Sequence, residues 1–145
     1  MGFSKLFNFA GALLAVALAC ESFFGPAFFA WLGVVPYLTK EAFHATLSFI
    51  ADRAAGSGLA LDYSQPREVL PPLERLAHDS LASRVEKVGE PFRLFFTPLG
   101  MAAELSRFHG LEDLGAGEIN ARYFAGRIDQ LAMQGTAGRF LSAWL

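Results

Sequence analysis

The chain has 145 residues, 53% of them apolar and 18% charged, with a single Cys and a formal net charge of −2. That length suits one domain rather than two of ordinary size. The near-neutral balance excludes the broad positive field on which nucleic-acid binding relies, and the lone Cys20 excludes an internal disulfide and a multi-Cys zinc site.

Apolar character is concentrated at the amino end. Residues 1–39 carry only Lys5 and Glu21 as charged side chains, and seven of the 15 Phe fall among the first 29 positions. Behind Lys5, residues 6–19 (LFNFAGALLAVALA) have the layout of a secretory signal, with a positive start and an apolar centre. Ala17-Leu18-Ala19 then supplies the small-x-small pattern of a cleavage site immediately before Cys20. Cys20 is therefore a candidate lipidation site, although Ala17 stands where a lipoprotein signal prefers a larger aliphatic residue.

Residues 22–39 continue without a charge. Taken as one helix, residues 6–35 would rise about 45 Å, enough for a bilayer with its headgroup layers. Pro26 would kink that helix. Phe23, Phe24, Phe28 and Phe29 would offer apolar contact to lipid or to partner helices, and Trp31 and Tyr37 suit the lipid–water boundary. An uncleaved anchor is the preferred reading, ahead of a cleaved or lipidated export signal and of a hairpin buried in a soluble fold. Lys5 and the terminal amine place the N-terminus in the cytoplasm and the remaining domain on the extracytoplasmic side.

From Pro36 the pattern becomes helical. Residues 39–55 set Phe43, Leu47, Ile50 and Ala54 on one stripe, with Thr39 as N-cap and Gly56 as stop. Gly56 to Pro72 reads as a connector, with Leu59–Tyr63 at best a short extended piece. Residues 72–88 form the cleanest amphipathic helix: Pro72 suits its first turn, and Leu73, Leu76, Ala77, Leu81, Val85 and Val88 share a face. Thr97-Pro98 signals another helix to about Phe108, and Gly117 to Gln134 reads as a last long one. Residues 138–145 (GRFLSAWL) read as a short apolar docking tail, with Trp144 as its anchor.

Few residues suggest chemistry. Glu41 and His44 have the Glu-x-x-His spacing of a helical metal site, but a di-iron bundle needs two such motifs and further Glu residues. His78-Asp79 resembles the His-Asp doublet of metal-dependent phosphohydrolases, without the additional ligands that chemistry requires. The glycines between Gly110 and Gly117 are not followed by the Lys-Ser/Thr of a phosphate loop, and Ser57 lacks the surroundings of a nucleophile elbow. No catalytic or metal constellation emerges, and no motif names a cofactor.

The expected architecture is thus mainly α: a hydrophobic transmembrane or signal-like helix within residues 1–39, then a bundle of four or five helices over residues 40–145. The expected role is that of a membrane-anchored, non-enzymatic accessory or scaffold subunit that contacts lipid and a protein partner. The alternative is an exported helical protein, lipidated at Cys20, that encloses an apolar ligand among Phe92, Phe95, Phe96 and Phe108.

Overall fold

The computed structural model describes residues 25–145. They form an α/β architecture around a mixed sheet, which overturns the expectation of a mainly α, all-helical bundle. Its strands are β1 (Phe28–Trp31), β2 (Gly58–Ser64), β3 (His109–Leu114) and β4 (Gly138–Trp144), in the spatial order β1-β2-β4-β3. β1 and β2 run parallel, and β4 is antiparallel to both of its neighbours. The helices are α1 (Lys40–Ala51), α2 (Pro72–Lys87), α3 (Pro98–Glu104) and α4 (Ala116–Ile119), the last continuing into a π turn over Asn120–Phe124.

Each misread segment has a local reason. Phe28–Trp31 is apolar throughout, so hydropathy alone assigns it to a membrane helix. Pro26 before it and Gly33 after it, at φ +71°, confine it to a length that a strand can use and a helix cannot. Residues 28–39 therefore make β1, a 3-10 turn at Val35–Tyr37 and the cap of α1, not a span. No helix among the described residues is long and apolar enough to cross a membrane. The expectations for Phe23, Phe24 and Cys20 lie outside the described residues.

The expected tail is the central strand β4. Its alternation puts Leu141 and Ala143 in the core and leaves Phe140 and Trp144 on the other face. β2 alternates the same way, with Leu59, Leu61 and Tyr63 inward. The long final helix stops early because the backbone turns extended at Ala125 and then takes a positive φ at Gly126. Residues 125–137 are instead held by side chains. Asn120 donates to Met133 O and accepts from Met133 N, at 2.9 and 2.7 Å, and Glu74 accepts from Thr136 N at 2.7 Å.

One face of the sheet is fully covered. The rows Phe29–Leu59–Ala143 and Trp31–Leu61–Leu141 pack against α1, α3 and the segment carrying Phe96. Phe43 is at the centre, stacked on Trp31 at 5.3 Å and tilted against Phe96 at 5.0 Å. α1 forms as its sequence suggests: Thr39 Oγ1 accepts from Ala42 N at 3.2 Å, and Phe43, Leu47 and Ile50 are buried. α3 repeats the device, with Thr97 Oγ1 accepting from Gly100 N at 3.1 Å.

α2 does not follow its amphipathic pattern. No residue in it is fully buried, and Leu73 and Val88 of the expected apolar face are 79% and 73% exposed. Its packed side is the one carrying Glu74, Arg75 and His78. Arg75 Nε donates to Leu70 O at 2.8 Å, and His78 sits against Phe92 and Phe95.

Because Phe43 is wholly buried between two other rings, Phe43→Ala leaves a cavity that those rings cannot fill. We expect it to lower unfolding free energy by about 3–5 kcal/mol, read from the urea midpoint at unchanged slope.

Candidate functional site

Among the described residues, the second face of the sheet is only partly covered. It carries the rows Phe28–Gly58–Trp144, Ala30–Ala60–Ser142–Glu112 and Asp62–Phe140–Leu114. Gly58 is the position that lets the first row close. The Phe28 and Trp144 rings meet over it at 5.5 Å, and a Cβ there would lie 2.4 Å from the Trp144 ring. Between β2, β4, β3 and the helical turn 116–124 lies a cleft of about 400 Å³. Ala60, Phe140 and Ser142 form its floor, and Ile119, Tyr123 and Phe124 form its wall.

The turn is placed by capping and by a π step. Gly115 N donates to Glu118 Oε2 at 3.0 Å at the helix start. The π turn admits one extra residue per turn, a feature frequent at functional sites. At the rim, Arg122 donates to Glu112 Oε1 at 2.7 Å, which holds the Glu112 carboxyl below its ordinary range. The polar side-chain groups in the lining are thus the Glu112 carboxylate, already paired, the Ser142 hydroxyl and the Tyr123 phenol, among apolar walls. This arrangement can hold an apolar molecule and orient it. It contains no paired nucleophile and base.

Asp62 stands on the same face, opposite Phe140 in the ladder and at the carboxyl end of β2. Its Oδ1 accepts from Gly33 N at 2.5 Å, joining the end of β2 to the loop after β1. Burial pushes its carboxyl above the ordinary range, and the Gly33 contact only partly offsets this. The carboxyl ends of parallel strands are where open α/β sheets place ligands. On the covered face at the same end, Tyr63 donates its hydroxyl to Asp113 Oδ2 at 2.5 Å, and Arg139 Nε donates to Asp113 Oδ1 at 2.8 Å. Burial first and the hydrogen bond to Asp113 second raise the Tyr63 phenol well above its usual value.

The residues singled out in the sequence do not assemble into one site. Of the expected membrane or partner contacts, Phe29 and Trp31 are core residues. Phe28 is half-exposed against Trp144, and Tyr37 packs on Phe92 at 5.2 Å. Of the expected apolar pocket, Phe96 and Phe108 are in the core. Phe92 and Phe95 form a half-buried cluster with His78, whose Nε2 is buried without a partner. His44 bonds across helices to Glu104 at 2.7 Å rather than to Glu41. Asp79 is taken by a two-pronged contact from Arg67 at 2.6 and 2.7 Å, which draws its carboxyl down to about 2. No group of three or more His, Cys, Asp or Glu among the described residues is arranged to hold a metal. Ser57 is structural: its Oγ donates to Ala54 O and accepts from Ala27 N, anchoring the start of β1.

No family model matches the chain, and no curated protein does. Among solved structures, it is similar to a possible exported protein from Bordetella parapertussis, with a TM-score of 0.54 and 12% identity over 88% of this chain and 41% of that one. It is similar also to a DUF574 family protein from Streptomyces avermitilis, again with a TM-score of 0.54, at 16% identity over 96% of this chain and 52% of that one. The chain thus spans about half the length of the structures it matches. At these identities the likeness is one of fold.

Asp62 supplies a signed pH test. A raised carboxyl in the fold means that its contribution is fully present below the ordinary carboxylate range and is lost as pH rises through the folded value. The ionised group therefore costs stability at neutral pH. Asp62→Asn keeps an acceptor for Gly33 N and removes the charge. Relative to the unmodified protein, its urea midpoint should be higher at pH 7 than at about pH 3, below the ordinary carboxylate range. A relative midpoint that is lower at pH 7 than at about pH 3 would contradict the assignment.

Proposed function

We propose that this chain is an exported, non-enzymatic α/β unit that binds a small, mainly apolar organic molecule in the cleft between the open sheet face and residues 116–124. The observation that carries this reading is the cleft itself: about 400 Å³, within the size range of small-molecule sites. Its walls are apolar, and its rim carboxylate is already paired with Arg122. Ser142 offers one hydroxyl to a ligand polar group.

Export is supported by the signal-like residues 6–19 and the Ala17-Leu18-Ala19 pattern before Cys20. A fold neighbour described as a possible exported protein is in keeping with it. The membrane-anchored accessory role rests mainly on the amino-terminal hydrophobic segment, and residues 28–39 of that segment belong to the sheet domain.

A neutral apolar fluorophore, N-phenyl-1-naphthylamine, tests the cleft. It should bind with a one-to-one stoichiometry, and Ser142→Phe, which fills the floor, should weaken binding at least about tenfold, equivalent to about 1.4 kcal/mol. Equal binding by both proteins would remove the cleft from consideration. Mass spectrometry of the mature protein from its native host tests export: a chain starting at Cys20 is the expected product, and an intact start at residue 1 or 2 would oppose it.

A further inference from the structure

Three aromatic rings line the cleft, two from the helical turn and one from β4, so they bound the same space from wall and floor. Tyr123 and Phe140 are 63% and 41% exposed, and Phe124 is half-buried. The rest of the floor is small. Ala60 and Ser142 stand opposite each other in the β2–β4 ladder, so two neighbouring strands present only a methyl and a hydroxymethyl group there.

The wall rings are held by the chain's own charges. The Arg122 guanidinium lies 5.9 Å from the Tyr123 ring centroid and is fixed by Glu112 at 2.7 Å. The Arg127 guanidinium lies 5.7 Å from the Phe124 ring centroid and is fixed by Asp129 at 2.9 Å. Both guanidinium charges are thus matched by carboxylates of the same chain. What the cleft presents to a ligand is aromatic surface with two hydroxyls, those of Ser142 and Tyr123.

Resting on the cleft reading above, we infer that this site selects a neutral, planar aromatic ligand over a saturated molecule of the same carbon skeleton. An aromatic ring has a negative face and a positive edge. It therefore gains from offset or edge-to-face contact with Tyr123, Phe124 and Phe140, beyond the burial that any apolar molecule obtains. A saturated ring system has no such quadrupole, and its puckered axial hydrogens hold it off the Ala60–Ser142 floor. A charged ligand would lose its hydration against walls whose own charges are already paired.

2-Naphthol and decahydro-2-naphthol share one skeleton and one hydroxyl, and each can be titrated against N-phenyl-1-naphthylamine bound to the full 145-residue chain. 2-Naphthol should displace the fluorophore at a concentration at least about tenfold lower. Phe140→Leu and Tyr123→Leu each keep an apolar side chain at an exposed position and remove one ring. Each should reduce the preference for 2-naphthol at least about threefold, the share of one aromatic pair. Comparing that preference between variant and unmodified protein cancels the different transfer of the two ligands from water. A saturated compound that displaces the fluorophore as well as the aromatic one overturns the inference and leaves the cleft as a binding site. So does a preference that both folded variants leave intact. If N-phenyl-1-naphthylamine does not bind, or binds equally to Ser142→Phe, the cleft reading has failed and the selectivity falls with it.

Discussion

Seven residue pairs, from Gly58↔Trp144 to Ser64↔Gly138, join β2 to the last strand of the chain, and each other layer is built on that ladder. Leu145 N then donates to Ser57 O, and Gly56 N to Leu145 O, both at 2.9 Å, which ties the final residue to the turn before β2. Without β4 in the middle, β3 would have no partner and the covered face would lose Leu141 and Ala143 from its core. The pairing spans most of the chain, so the entropy of closing that loop must be met before the ladder repays it.

The ladder also sorts the molecule into two unequal faces. Large side chains of β1, β2 and β4 on the covered side meet α1 and α3, with Phe43 between Trp31 and Phe96. On the other side the β2 positions are Gly58, Ala60 and Asp62, small or polar, and the space they leave is bounded by the 116–124 turn. Two of the three ladders are antiparallel, a pairing that allows one face of a sheet to stay open. Among the described residues, part of the apolar surface of this open face lines the cleft. The larger structures that share the fold carry about as much chain again outside the match.

Local chemistry was legible where one residue decides the conformation. Thr39 and Thr97 cap helices as their spacing implies, and Pro72 starts α2 where a missing donor costs nothing. The strands were not legible, for three separate reasons. β1 is a short apolar run with no alternation to separate it from a helix. β3 has its acids on adjacent positions, which reads as a loop. β4 alternates in burial but not in residue type, since Phe140 and Trp144 are as apolar as Leu141 and Ala143, and so it reads as an apolar tail. The candidate site was missed with them. Asp62, Phe140 and Ser142 are far apart or unremarkable along the chain and share a face only through the β2–β4 register.

By itself, then, the order of residues determined the helix starts, the near-neutral charge balance and the lone cysteine, because each follows from side-chain type or from spacing within a single turn. Tertiary structure alone decided which strands are neighbours, which face of α2 is packed, and which polar groups stand beside the cleft. Those outcomes depend on contacts between segments tens of residues apart, and their strength is set by burial, which no local pattern contains.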